Sequence, residues 1–487
     1  MSGYTIPFSL ILTPHGDRRK RSALDATGAR RSCTGTLDCD HRMTDMTTGD
    51  IHHPETHPTI VALSSAPGRA GVAVVRVSGP RVRFVLETIA GVIPLPRVAT
   101  LRRLSDGKGM TVDMALVLFF AGPASFTGED VAEFHVHGSR AVLAQLLVIL
   151  TALPGVRLAE AGEFTRRAFE AGKLDLAAVE GLADLIDSET EWQRKQALRQ
   201  MDGALGTVAK GWRGELIEAM SLLAAELDFS DEGDVSGPLQ DQALRLATGV
   251  LLSLREALGS FNMGERVREG FVVVLAGPPN AGKSSLLNAL ARREVAIVSP
   301  IAGTTRDALE VRLDLDGLPV VLIDTAGLRD STDLIEAEGV RRARAFVERA
   351  DLVLSLRGVD SDTYRIEDNA AALPIATKSD LGHAVLDGEH AISVKTGEGI
   401  PELLSVIVAR LRGLGQVEPA LLTRERHRIA VSDAIVALER VVEANHGQGE
   451  LLAEDIRLAV VALERLVGRI DVEDVLDQLF AGFCIGK

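Results

Sequence analysis

The stretch that most constrains this chain is residues 271–287, FVVVLAGPPNAGKSSLL. Its first six residues are an uninterrupted apolar run, the pattern of a strand buried in a parallel sheet. Gly277-x-x-x-x-Gly282-Lys283-Ser284 follows at once, and a helical pattern opens after it. This is a phosphate-binding loop in its strand–loop–helix setting, which makes a chance glycine-rich turn a poor alternative. The glycines let backbone N–H groups turn inward on a triphosphate. Lys283 brings a point charge to the outer phosphates, and the Ser284 hydroxyl is suited to Mg²⁺.

With 487 residues the chain exceeds one hydrophobic core, so three or four domains are expected. A formal charge of −15 argues against bulk electrostatic binding to nucleic acid or to an acidic membrane, though not against a local basic patch. No apolar run reaches membrane-spanning length, and no secretory signal pattern is present. The three cysteines, Cys33, Cys39 and Cys484, make neither a disulfide framework nor zinc spacing, so a cytoplasmic setting is expected.

Residues 1–56 differ in composition from the rest. They are rich in Arg, Asp, Thr, Gly and His with little apolar periodicity, and Asp17, Asp25, Asp38 and Asp40 interrupt the basic runs at 18–21 and 30–31. A disordered extension, or one read from a start codon upstream of Met43 or Met46, is expected there rather than a transit peptide. Residues 57–172 read as an α+β unit, with strands at 59–64, 72–77, 114–120 and 131–136 and an apolar helix at 141–153. His135 and His137 share a strand face without a third ligand nearby, which favours solvated histidines over a metal pair.

Residues 174–259 read as helical throughout, broken at Gly203, at Gly211 and at the acidic turn 228–234. That turn lacks Ca²⁺-loop spacing and reads as a solvated connection. A second helical block runs from about Glu418 to the end, with a break at 446–449. The expected division is 1–56 extension, 57–172 N-terminal domain, 173–265 first helical part, 266–416 inserted nucleotide domain and 417–487 second helical part.

Within the inserted domain, a Thr of the string at 301–307, IAGTTRD, can place its hydroxyl on Mg²⁺ and its N–H on the terminal phosphate, making a loop that senses hydrolysis. An apolar strand ending in Asp324-Thr325-Ala326-Gly327 supplies the second acidic element of a nucleotide hydrolase. Thr377-Lys378-Ser379-Asp380 follows another short strand, and an Asp there can accept from the ring N–H and exocyclic amine of guanine. Guanine-specific loops usually begin with Asn; here Thr377 stands in its place. The string at 393–396, SVKT, is similar to the last guanine loop, so GTP is preferred over ATP. Where Ras-like enzymes carry a water-orienting Gln, this chain has Leu328. Glu336 is a candidate water-positioner; an exposed first-turn Glu favoured by a helix dipole is the alternative.

From about residue 59 onward the chain resembles the MnmE (TrmE) family of tRNA-modification GTPases, of the TrmE-Era-EngA-like group. The strings that carry the resemblance are Pro67-Gly68-Arg69, the SFTGED at 125–130, Gly162-Glu163-Phe164, Lys173-Leu174-Asp175-Leu176, the GTTRD at 303–307 and the C-terminal FCIGK at 483–487. The resemblance implies an α/β multidomain chain: an N-terminal α+β folate-binding and dimerisation domain, a discontinuous helical domain, and an inserted Ras-like P-loop GTPase domain. It implies a 5-formyl- or 5,10-methylene-tetrahydrofolate at Arg76, Glu133, Lys173 and Lys487. It implies K⁺ at Asn280, Ser299, Ile301 and Thr304, and Mg²⁺ at Ser284 and Thr305. Further nucleotide contacts are expected at Ala281, Gly282, Lys283, Ser285, Pro300, Ala302, Gly303, Asp324, Thr325, Ala326, Gly327, Thr377, Lys378 and Asp380. Arg306, Glu336 and Cys484 are the catalytic candidates; Cys484 is either a nucleophile near the folate or a small buried residue at a C-terminal anchor. The implied assembly is a homodimer that joins a flavoprotein partner, MnmG (GidA), in a heterotetramer. That complex would add a carboxymethylaminomethyl or aminomethyl group to the wobble uridine of tRNA. The competing function is a regulatory GTPase switch or ribosome-assembly factor, which would not need to retain folate.

Overall fold

The computed structural model describes residues 57–228, 238–293, 295–297, 310–324, 347–360, 372–415, 420–444, 449–470, 473–483 and 485–486. The extension 1–56, most of the acidic turn and residues 445–448 lie outside them. The N-terminal region opens with β1 (Thr59–Leu63), β2 (Ala70–Ser78), α1 (Val82–Ala90), β3 (Thr100–Ser105), β4 (Thr111–Phe120), β5 (Val131–Gly138), α2 (Arg140–Thr151) and β6 (Val156–Leu158). The strands form one sheet in the order β3-β4-β5-β2-β1-β6, antiparallel except for the β1–β6 pair. Ala115, Val117 and Phe119 alternate inward along β4, against Leu86 and Ile89 of α1 and Leu146 and Leu150 of α2. Helix α1, β3 and β6 were not among the expected elements. Val82, Val85, Leu86 and Ile89 follow helical spacing and announce α1. In contrast β3, TLRRLS, buries only Leu104 and gives almost no alternation to read.

Helices α3 (Glu163–Glu170), α4 (Leu176–Asp187), α5 (Glu191–Met201), α6 (Ala204–Asp228), α7 (Pro238–Gly259) and α8 (Phe261–Glu269) follow. The break at Gly203 is present, with φ at 79° after α5. Gly211 is a correction: it lies inside α6, where burial of Leu205, Ala209, Trp212 and Leu216 on the same stripe outweighs one glycine's poor propensity. A break that was not expected falls between α4 and α5. Thr190 caps α5 with a reciprocal bond to Gln193, a capping box.

The nucleotide region is a second sheet. It comprises β7 (Phe271–Ala276), α9 (Lys283–Ala291), β8 (Glu310–Leu315), β9 (Leu318–Asp324), β10 (Leu352–Gly358), β11 (Ala372–Thr377), β12 (His390–Ala391) and α10 (Ile400–Arg412). Strand order is β12-β11-β10-β7-β9-β8, parallel except where β8 pairs antiparallel with β9. Central β10 is buried along its whole length, as a parallel strand covered on both faces must be.

The chain then returns through α11 (Glu425–Ala444), α12 (Gly449–Val467) and α13 (Glu473–Ala481). The second helical block therefore starts later than Glu418: residues 420–424 are irregular, with Gln200 donating to the Leu421 carbonyl and Arg268 to that of Thr423. Leu216, Leu254, Leu438 and Leu463 of α6, α7, α11 and α12 share one core. Helix α8 serves two cores, with Phe261 in this bundle and Met263 and Val267 under the nucleotide sheet. No described helix is long and apolar enough to cross a membrane.

Candidate functional sites

The loop between β7 and α9 is shaped by backbone requirements. A Cβ on Gly277 would collide with the Leu356 carbonyl oxygen, so only glycine fits there. Asn280 has φ at 64°, a left-handed conformation that Asn tolerates better than most side chains, and it is exposed. Lys283 is 5% exposed and curls back over the loop, donating from Nζ to the Gly277 and Pro278 carbonyls at 2.9 Å each. Ser284 Oγ donates to Asp324 Oδ2 at 2.7 Å. The first helical turn after the loop and the end of β9 thus bring two hard oxygen ligands together, a donor set suited to Mg²⁺.

On the base side, Thr377 is buried and its hydroxyl donates to the Ala281 carbonyl at 2.7 Å. Lys378 has φ at 61° and reaches Asp360 at 2.8 Å. Asp380 Oδ1 accepts from Ser393 Oγ at 2.8 Å, which joins the two loops that were expected to read guanine. The other nucleotide candidates, Ser299, Pro300, Ile301, Ala302, Gly303, Thr304, Thr305, Arg306, Thr325, Ala326, Gly327 and Glu336, lie outside the described residues.

A second site lies on the open face of the N-terminal sheet. Arg76 on β2 and Glu133 on β5 are direct cross-strand partners, and Arg76 donates to Glu133 Oε1 from Nε at 3.0 Å and from Nη2 at 2.9 Å. Phe126 and Phe164 flank the guanidinium, each with its centroid 5.8 Å away. Lys173, just beyond α3, reaches back to the Pro123 carbonyl at 2.6 Å. Arg76, Glu133 and Lys173 line one cavity of about 410 Å³ with Arg97, Phe120 and Phe126. Aromatic walls, one carboxylate and several cations suit a flat heterocycle with an acidic tail. Sequence reasoning missed Arg97 and Phe120. Phe120 continues the outward alternation of β4, whereas Arg97 sits in an irregular segment with φ at 62° and gave no signal.

A buried ionic network centres on Arg167 of α3, the helix that also carries Phe164. Arg167 is 4% exposed and bonds Glu163 at 2.7 Å and Glu129 at 3.1 Å. Ser78 Oγ donates to Glu129 at 2.6 Å, and Arg157 also reaches Glu163. Burial alone would push the Glu163 carboxyl up. Hydrogen bonds from Arg157, the Glu160 N–H and Arg167 outweigh it and hold the carboxyl at about 2.

The C-terminal tail returns to this domain. Ile485 bridges to Ala161, and Ser64 Oγ donates to the Gly486 carbonyl at 2.9 Å. Phe483 packs with Phe480 of α13 and Val179 of α4. Cys484 and Lys487 themselves lie outside the described residues. The histidines take carboxylate partners: His135 stands 3.3 Å from Glu133 and His137 2.8 Å from Asp113. Among the described residues no group of three His, Cys, Asp or Glu could hold a metal ion.

A larger cleft, about 800 Å³, lies elsewhere, between α4, α5 and α8 on one side and β7–β9 on the other. Its charges pair locally: Arg266 meets Asp351 at 2.5 Å and Arg268 meets Glu269 at 2.6 Å. Burial there raises the Asp184 carboxyl to about 6 against the pull of Arg424 and Arg268. This cleft is the seam between the nucleotide domain and the bundle.

The parallel sheet, its glycine-rich loop and the paired Ser284 and Asp324 define a P-loop nucleotide-binding domain carried between the halves of a helical bundle. Family models match residues 59–173 as the GTP-binding protein TrmE N-terminus and residues 176–484 as the MnmE helical domain. The chain belongs to the MnmE (TrmE) family. It is 53% identical over 431 residues to the tRNA modification GTPase MnmE of Azorhizobium caulinodans, a match covering 88% of this chain and 99% of that one. The protein of the same name from a Methylobacterium species is 54% identical over 438 residues, covering 88% and 99%. That from Cereibacter sphaeroides is 52% identical over 435 residues, covering 88% and 100%.

Proposed function

We propose that this chain is a K⁺-dependent GTPase that acts with the flavoprotein MnmG to build an aminomethyl-type group on the wobble uridine of tRNA, drawing the carbon from a tetrahydrofolate. The single observation that carries the reading is that one chain of this family holds both the loop with Ser284 on Asp324 and, separately, the cavity of Arg76, Glu133 and Lys173. A switch protein has no use for the second.

In this reading Lys283 and the loop amides bind and orient the triphosphate, and Asp380 selects guanine. Mg²⁺ and K⁺, when bound, would neutralise charge on the phosphates. Ser284, Asp324 and Thr305 would hold the first, and Asn280, Ser299, Ile301 and Thr304 the second. Glu336 positions the attacking water in place of the Gln absent at Leu328. In the other domain Glu133 accepts from the donor groups of a pterin, while Arg76, Lys173 and Lys487 face its acidic tail.

A homodimer is also proposed. Leu101 and Leu116 are register partners on β3 and β4, Leu116 pairs with His135, and all three share the sheet face that bears Arg76 and Glu133. Leu101 is 61% exposed and Met114 and Leu116 are 44% exposed, an apolar strip beside the cavity that a second copy would cover. Mass analysis of wobble uridines in tRNA from a strain lacking this chain tests the function. Loss of the modified base is expected, and an unchanged nucleoside profile would refute it. The K⁺ requirement is tested by replacing K⁺ with Na⁺ in a turnover assay; equal rates would remove it.

A further inference from the structure

We propose that Arg97 makes the N-terminal cavity selective for the glutamyl tail of a folate, as one half of a carboxylate clamp whose other half is Lys173. This rests on the folate reading above and names what that site selects. The Val98 N–H bonds the Leu95 carbonyl at 3.1 Å, closing a turn with Pro96 second and Arg97 third. Arg97 has φ at 62° there, the turn position at which glycine is the usual choice. Its N–H donates to the Phe119 carbonyl at 2.8 Å and holds the backbone in that conformation. A long cationic side chain kept at a left-handed position points to a use for the side chain itself.

That side chain is fixed against the cavity wall. Its Nη2 donates to the Ala124 carbonyl at 2.6 Å, and its guanidinium carbon lies 5.7 Å from the centroid of the Phe120 ring. Lys173 Nζ donates to the Pro123 carbonyl, the one before it in the chain. Two exposed cations that line the cavity are thus held on consecutive carbonyls. Like charges brought together repel unless an anion lies between them. Among the described residues no carboxylate pairs with either, and Glu133, the carboxylate that lines the cavity, is taken by Arg76. The cavity therefore has positive charge in excess at Arg97 and Lys173. The Ala124 bond leaves Arg97 with N–H groups for a planar, two-point grip on a carboxylate, and the Lys173 ammonium has donors for another. A glutamyl residue carries a pair of carboxylates on a short arm, and the aromatic walls take the rings that precede it. Arg97 is thus a specificity-determining residue whose effect falls on the tail alone.

The test is calorimetric titration of the full chain, native, R97G and R97K, with 5-formyltetrahydrofolate and with 5-formyltetrahydropteroate, which lacks the glutamyl residue. Thermal midpoints are recorded beside it. R97G suits the left-handed turn while removing the side chain, so its midpoint should stay near native. The native chain should prefer the glutamylated ligand by about thirtyfold. R97G should bind that ligand about tenfold less tightly and the tail-less one within about twofold of native. R97K keeps the charge without the fork, so it should lose about threefold on the glutamylated ligand only; it carries the same comparison should R97G fail to fold. A native chain without preference overturns the clamp, as does a folded R97G that keeps the native preference. An equal loss for both ligands also overturns it, since Arg97 would then only shape the cavity. If the native chain binds neither ligand, the folate reading itself fails, which is distinct from equal binding of the two.

Discussion

The nucleotide site draws its described residues chiefly from one strand–loop–helix, β7 to α9, with the ends of β9 and β11 closing it. The N-terminal cavity draws Arg76, Glu133 and Lys173 from β2, β5 and the segment after α3, with Arg76 and Glu133 lying 57 residues apart along the chain. In the first site Lys283 lies folded on its own loop, bonded to two of its carbonyls. In the second the side chains are already paired with each other, and a ligand must exchange those pairings for better ones. A site of the first kind is defined by local sequence. A site of the second kind exists only once strand register is set.

Three substitutions can break that contrast. The largest effect is expected for Lys283→Ala, which removes the charge on the outer phosphates: GTP turnover should fall by about a thousandfold, with folate binding at the cavity unchanged. A turnover within tenfold of native would mean the loop amides suffice alone. Next comes Glu163→Gln. The Glu163 carboxyl lies at about 2 in the fold against an ordinary 4.5, so the charged form stabilises the native state above pH 4.5 and that contribution is lost as pH falls toward 2. That difference corresponds to about 3 kcal/mol at pH 7. Urea unfolding of the full chain should show the variant weaker by about that amount at pH 7, with the gap narrowing steadily below pH 4. A gap independent of pH would assign the loss to packing. The smallest of the three is Arg76→Ala, which leaves Glu133 without its cross-strand partner. Folate affinity should fall by about thirtyfold, with GTP turnover within about twofold of native because the nucleotide domain has its own core.

The nucleotide domain was legible because its chemistry is written in contiguous strings, each tied to a strand end. The N-terminal cavity was legible only through family resemblance. Nothing local marks Arg76 or Glu133 as more than surface charges, and their pairing is a consequence of the β2–β5 register. Misread punctuation has a similar cause. Gly211 looked like a helix end, but tertiary burial carries α6 through it, whereas Thr190 and Gln193, a local capping signal at a true break, passed unnoticed among helix-forming neighbours. Thr377 looked like an imperfect base reader. Its two carbonyl neighbours come from residues 96 and 20 positions away, which no spacing argument could supply.

Titrating 5-formyltetrahydrofolate into the full native chain and into its Glu133→Gln variant, with GTP turnover recorded on the same samples, measures most directly whether one chain carries two separately built sites. The native chain should bind with a saturable signal, Glu133→Gln should lose most of that affinity, and the two should hydrolyse GTP at the same rate. Equal folate affinity in both, or no saturable binding to the native chain, would contradict the assignment of the cavity.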